Sequence, residues 1–221
     1  MRANGIGNVN AMKLLIIGAT GGTGQELVKH ALAQGHDVTA FVRNPVKFSV
    51  SHNRLEVAQG DVLDPASLER AVHDKDAVLS ALGHKRFIIP SRILSDGTRN
   101  IIAAMEKHKI KRFVCETSLG VSDGWWKLGL YYTLFVTPFI VFFYFWDKAR
   151  QEKLIKQSSL DWVIVRPGRL TNGNKKDSYR HGLNVGNALW TVSISRADVA
   201  DFMMRQVTED SYLRKTPGVA Y

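Results

Sequence analysis

Ile17-Gly18-Ala19-Thr20-Gly21-Gly22-Thr23-Gly24 is the stretch on which the fold turns, and it continues the apolar run Leu14-Leu15-Ile16-Ile17. An apolar run without alternation is what a strand buried on both faces needs. Gly18, Gly21 and Gly24 stand three apart. Glycine permits the tight turn, lets the backbone approach a pyrophosphate, and lets the next helix pack on the strand. That helix is predicted over 25–33, where apolar residues recur at helical spacing before Gly35 stops it. Its first N–H groups and positive dipole end would face the phosphates. Strand, glycine turn and helix in this order predict a nucleotide site; the bland alternative is a tight turn with no ligand.

Outward from the turn, strands are predicted at 38–42, 55–57, 77–82, 112–117 and 162–165, and helices at 65–73, 91–109, 147–157 and 196–207. Such alternation implies a parallel sheet covered on both faces. The 221 residues suit one domain, and no solenoid repeat or Gly/Ser linker divides them. The expectation is a single doubly wound α/β domain of Rossmann type over 12–221, after a flexible tail, 1–11, that lacks a signal peptide's apolar core.

A hydrophobic share of 45% with 23% charged residues excludes a disordered chain. One cysteine, Cys115, excludes an internal disulfide framework and a cysteine-built zinc cluster, and it favours a reducing compartment such as the cytoplasm. His84, His108 and His181 are scattered without ligand spacing, so no metal site is expected. Thirty basic against twenty acidic residues give +10, a balance that suits nucleic acid, anionic lipid or an anionic cofactor.

The cofactor's identity is read at the second strand. An NAD site would carry a carboxylate about 20 residues beyond the turn, for the ribose 2′-hydroxyl. Here the strand runs into Phe41-Val42-Arg43-Asn44-Pro45, and Arg43 could hold a 2′-phosphate in a forked, charge-assisted contact, with Lys47 as a second cation. NADP(H) is therefore favoured over NAD(H), although a solvated arginine is ordinary in so basic a chain. Asp61 and Val62 follow the third strand where adenine would lie, and Ala81, Leu82 and Gly83 end the fourth beside the cofactor path. The basic run Lys107, Lys109, Lys111 and Arg112 closes a helix favourably and does not call for nucleic acid.

These residues, with Gly97-Thr98-Arg99-Asn100, Thr117-Ser118 and Val163-Ile164-Val165-Arg166-Pro167-Gly168-Arg169-Leu170, resemble the atypical short-chain dehydrogenase/reductases, in the NmrA-like branch that holds biliverdin-IXβ/flavin reductase. The resemblance covers most of the chain from Met12. It implies NADPH along the strand C-termini, held by Gly18, Thr20, Gly21, Gly22, Thr23 and Gly24, with hydride passing to a flat conjugated acceptor. It implies Ser118 beside the nicotinamide, Pro167 and Arg169 over its amide, and a Tyr-x-x-x-Lys pair matched by Tyr144 and Lys148. In that pair lysine holds the ribose and tyrosine is the acid; solvent is the alternative proton source. The plain alternatives are a strand-end serine, a chance aromatic, and a surface lysine paired with Glu152 at i+4.

The stretch 128–146 has no charged residue and many aromatics, within an insert at 125–147 expected near the active site. It could be a flap over the nicotinamide, a membrane-surface or dimer contact, or a bilayer span of roughly 20 residues. The span conflicts with a sixth strand returning to the sheet. The expected function is an NADPH-dependent reductase acting on a flavin, quinone or tetrapyrrole-like acceptor, cytoplasmic and peripheral to a membrane. The alternative is a non-catalytic NADP(H) sensor or scaffold docked through the apolar segment.

Overall fold

The computed structural model describes residues 11–83, 90–122, 127, 142–187 and 189–221. The tail 1–11, except for its last residue, and most of the insert at 125–147 lie outside the described residues, as does His84.

The run after Met12 forms strand β1 (Lys13–Ile17), whose four apolar side chains are fully buried. Then come α1 (Gly22–Ala33), β2 (Asp37–Val42), β3 (Leu55–Gln59), α2 (Pro65–Val72), β4 (Ala77–Ser80), α3 (Ile93–Lys107) and β5 (Arg112–Glu116). The second half gives α4 (Phe142–Gln157), β6 (Asp161–Pro167), β7 (Arg169–Thr171), β8 (Arg180–Gly182), β9 (Ser193–Ser195), α5 (Arg196–Arg205) and β10 (Gly218–Ala220). The eight-stranded sheet has the order β3-β2-β1-β4-β5-β6-β10-β8, while β7 and β9 pair apart. All pairings in the large sheet are parallel except β10 with β8.

Alternation along the strands splits the core. Leu14 and Ile16 face α1 and α5 with Leu27, Val199 and Met203, whereas Leu15 and Ile17 face the other side with Leu68, Ile101 and Met105. Each such side chain contributes about 1.5–3 kcal/mol on burial. The strand order reverses between β1 and β4, so α1 and α3 diverge to opposite faces and leave a crevice beyond the strand C-termini. The Ala81 amide bonds the Ile17 carbonyl at 2.9 Å and closes the crevice floor.

The doubly wound sheet is as the alternation implied; four short strands are added to the predicted elements, and element bounds shift, most consequentially for β4 and α4. Strands β7 to β10 have three residues each, too few for any periodicity to mark them. Strand β4 ends at Ser80, which leaves Ala81–Gly83 as an irregular rim. Helix α4 is already wound at Phe142, not at 147, so Lys148 does not open it. The cause is that residues 142–146, Phe-Phe-Tyr-Phe-Trp, are aromatic at every position and so show no helical apolar period, while the buried face beyond them is mostly polar: Asp147, Lys148, Gln151 and Glu152 beside Ile155. Asp147 caps α3 from outside, accepting from the amides of Leu94 at 2.9 Å and Ser95 at 3.1 Å. No helix among the described residues is long and apolar enough to cross a membrane.

Candidate functional site

The glycine turn lies at the mouth of the crevice. Gly18 has φ +81°, and a Cβ there would stand 2.5 Å from the Ala81 carbonyl oxygen. A Cβ on Gly24 would stand 2.1 Å from the Gly18 oxygen, so the turn closes only without side chains at both places. The Gly21 amide bonds the Gly18 carbonyl at 2.9 Å, and Gly21, as N-cap of α1, offers no side-chain cap. Thr20, Gly21 and Gly22 are exposed, and the first turn of α1 carries no acidic residue. Open amides at a helix start, with no acidic residue in the helix's own first turn, fit a pyrophosphate.

Around the turn, Arg43 is exposed at the end of β2 and makes no ion pair among the described residues. Asp61 uses one carboxylate oxygen on the Leu63 amide at 2.9 Å. Val62 is buried against α3, where a Cβ on Gly97 would reach its Cγ2 at 2.8 Å, and its carbonyl accepts from Asn100 at 3.0 Å. Ala81, Leu82 and Gly83 rim the crevice as β4 ends.

Tyr144 and Lys148 lie one turn apart on α4, with the ammonium 5.2 Å from the centre of the tyrosine ring. A Cβ on Gly83 would be 3.6 Å from the Tyr144 hydroxyl, so the phenol reaches the end of β4. Lys148 is buried. Burial by itself would push its ammonium down, but Tyr144, Glu116 and Cys115 together outweigh it and hold the lysine above its ordinary value. Glu116, also buried, ends β5 and accepts from the Thr23 hydroxyl at 3.2 Å. Burial raises its carboxyl above the usual range, with Lys148, Thr23 and Arg196 pulling the other way. The Cys115 thiol is pushed up to about 12 by burial, so it is a packed side chain and not a nucleophile.

The i+4 pairing of Lys148 with Glu152 is not what the helix makes. Glu152 is bound by Arg166, Nε to Oε1 at 2.9 Å and an Nη to Oε2 at 2.5 Å, with the Thr117 hydroxyl on Oε1 at 2.8 Å. Lys148 instead lies beside Tyr144 and close enough to Cys115 and Glu116, at the end of β5, to feel their charges. Ser118 is half-buried, and its hydroxyl donates to the Leu119 carbonyl at 2.9 Å. Pro167 closes β6, while Arg169 begins β7 exposed, its amide bonded to the Val192 carbonyl at 2.9 Å. The glycine turn, Gly83, Tyr144 and Lys148 thus gather at the crevice, while the Ser118 hydroxyl makes a local bond and Arg169 is tied through its backbone to the segment at Val192.

Two residues at the site escaped the sequence reading. Arg196, the first residue of α5, runs its stem over the glycine turn: a Cβ on Gly22 would meet its Cδ at 2.5 Å and its Nε at 2.7 Å. Its guanidinium bonds the Asn172 side chain. Glu116 is the other. Arg196 lies far along the chain from the turn, and its only sequence signal was its place behind Ser195, the helix cap. Glu116 carried none, because a carboxylate ending a buried strand defies composition rules.

Comparison with known proteins adds the lineage. The NAD(P)H-binding family model matches residues 18–210. An uncharacterized chloroplastic protein of Arabidopsis thaliana is 28% identical over 217 residues, covering 91% of this chain and 74% of that one. The chain spans 61% and 41% of the lengths of two further curated relatives. Among solved structures, the oxidoreductase ylbE of Lactococcus lactis superposes with a TM-score of 0.80 at 21% identity, over 95% of this chain and 90% of that one. ChuY, an anaerobillin reductase of Escherichia coli O157:H7, does so with 0.77 at 23%, over 94% and 96%. These two likenesses establish the fold.

Proposed function

The chain belongs to the NAD(P)H-binding family; from that premise we propose that it is an oxidoreductase of the atypical short-chain dehydrogenase/reductase type, an NADPH-dependent reductase of a planar, lipophilic acceptor of the tetrapyrrole, flavin or quinone kind. The observation that carries the reading is the meeting of the Tyr144 hydroxyl, the rim glycine Gly83 and the buried Lys148 ammonium in the crevice that the glycine turn opens. What supports a tetrapyrrole-like acceptor is the likeness in fold to a protein whose name is anaerobillin reductase.

In this reading the turn residues Gly18, Thr20, Gly21, Gly22, Thr23 and Gly24 hold the pyrophosphate and Arg43 the 2′-phosphate. Asp61 and Val62 border the adenine, and Ala81, Leu82 and Gly83 line the path between. Pro167 and Arg169 stand beyond the nicotinamide, with Ser118 beside it. The chemistry that bound NADPH supplies is a hydride. Lys148 holds the nicotinamide ribose and favours a proton-giving phenol nearby, and Tyr144 delivers that proton, which with the hydride completes a two-electron reduction. Glu116 keeps the buried ammonium neutralised. A cytoplasmic setting against a membrane face suits a greasy acceptor.

Calorimetric titration with NADPH and, separately, NADH is the first test, followed by acceptor-dependent NADPH oxidation. Expected are NADPH binding at least about tenfold tighter, roughly 1.4 kcal/mol, turnover with planar acceptors, and a kcat lowered about 10²-fold or more in Tyr144→Phe with NADPH affinity kept. Binding without any turnover would favour the sensor instead, and no binding would end the reading.

A further inference from the structure

Eight large apolar side chains are exposed among the described residues, and five of them gather at the flanks of the uncharged stretch: Phe142, Trp146, Leu183, Leu189 and Trp190. The last of these is 74% exposed, high for a side chain that is well buried on average. The two flanks adjoin. Residue 127 is tied to the 183–187 loop, its ammonium donating to the Leu183 carbonyl at 2.8 Å and its carbonyl accepting from the Asn187 amide at 3.0 Å. From the other side, Phe145 of α4 packs against the small cluster formed by Leu119, Val185, Val192 and Ala220.

Cations stand directly behind the aromatics. On α4, Phe142, Trp146, Arg150 and Lys153 follow one another at i+4, i+4 and i+3, hence along one face. The Arg150 guanidinium lies 3.9 Å from the centre of the Trp146 ring. Arg150 and Lys153 then line a cleft of about 260 Å³ between α3 and α4, completed by Arg92 and Arg99 on the α3 side. Against these four positive charges stand two carboxylates: Asp96, held by Arg92 at 3.6 Å and Arg99 at 2.8 Å, and the buried Asp147, which accepts from Ser95 of the cleft wall. A patch of net positive charge therefore backs a rim of exposed tryptophan, phenylalanine and leucine.

We propose that this face docks on an anionic membrane surface, the aromatic rim entering at headgroup depth while the α3–α4 cleft takes lipid phosphates. Tryptophan is favoured at the boundary of water and hydrocarbon, and arginine and lysine are drawn to anionic headgroups just above it. The charge argues against a second copy of the chain as occupant, because a two-fold contact through this face would set the same cationic cleft against itself. It argues less against nucleic acid, on whose bases Phe142, Trp146 and Trp190 could stack, but the aliphatic Leu183 and Leu189 in the same rim gain nothing from bases and are covered by hydrocarbon. Docking stands independently of the reductase reading.

The test is co-sedimentation of the full chain with vesicles of phosphatidylcholine alone and of phosphatidylcholine mixed with phosphatidylglycerol, at low and high salt. NADPH titration of the same preparations reports folding and cofactor binding separately. Wild type is expected to pellet with the anionic vesicles, to leave the neutral ones, and to be released by salt. Arg150→Glu with Lys153→Glu should lower the partition at least about tenfold, 1.4 kcal/mol, and Trp190→Ala should lower it while NADPH affinity stays. A wild type that ignores both vesicles overturns the proposal, as does equal binding to both with no effect of charge reversal. It is also overturned if Trp190→Ala instead converts a dimer to a monomer without lipid, or if single-stranded RNA binds and the vesicles do not.

Discussion

The Glu116 carboxylate accepts a hydrogen bond from the Thr23 hydroxyl at 3.2 Å, inside the protein, and so joins the end of β5 to the first turn of α1. Burial raises that carboxyl above its ordinary 4.5, against the pull of Lys148, Thr23 and Arg196. A group whose folded value lies above its unfolded one binds its proton more tightly in the native state. Its contribution is present in full below 4.5 and is lost as pH climbs from there through the raised folded value. Denaturant unfolding of wild type and Glu116→Gln across that window should show wild type losing stability relative to the variant as pH rises. Parallel pH curves would deny Glu116 the raised value.

The glycines make a sharper contrast. Gly24 has the Gly18 oxygen 2.1 Å from where a Cβ would go, whereas Gly35, with φ +81°, has nothing within 4 Å. Gly35→Ala should cost only the left-handed backbone strain, about 1 kcal/mol, and keep NADPH affinity. Gly24→Ala must move the turn, so NADPH affinity should fall by more than an order of magnitude even where the far-UV spectrum is native. Calorimetry on both variants decides it.

Much of this was legible before any coordinates. Unbroken apolar runs such as Leu14–Ile17 announce doubly covered strands, and the triply spaced glycines announce the turn, because local sterics dictate both. The start of α4 was not legible, since residues 142–146 are aromatic at every position and carry no period, and neither were the tertiary tasks of its inward residues: Asp147 caps α3, Gln151 donates to the Thr98 hydroxyl at 3.0 Å, and Glu152 meets Arg166. Partners from other elements make a polar face buriable, and no window along one helix contains them. Arg196 is hidden for the same reason, because α5 packs against α1 only in the folded sheet.

The Glu152–Arg166 pair predicts its own signature. Both side chains are almost wholly buried, with the Thr117 hydroxyl also committed to Glu152. Arg166→Met should cost about 3 kcal/mol, because it leaves the buried carboxylate with only the more distant Lys156 ammonium, at 3.7 Å. Adding Glu152→Leu removes the stranded charge and should restore much of the loss, less the Thr117 bond. Urea unfolding of the two variants measures the coupling, and additive losses would mean that the pair acts as two independent contacts.

Arg43 and Arg196 should divide the cofactor between them. Arg43, exposed where β2 ends and without an ion pair among the described residues, has the position to meet the group that distinguishes NADPH from NADH. A charge-assisted contact of about 1.5–3 kcal/mol corresponds to roughly ten- to hundredfold in affinity. Arg43→Ala should therefore weaken NADPH by that factor and leave NADH nearly untouched, which erases the preference. Arg196 comes from α5 onto Gly22, at the turn where the pyrophosphate would lie, and pyrophosphate is common to both nucleotides. Arg196→Ala should weaken NADPH and NADH by similar factors and keep the preference intact. Titrating both nucleotides into both variants separates the roles, for a change of preference in Arg196→Ala would move the 2′-phosphate to the wrong end of the crevice.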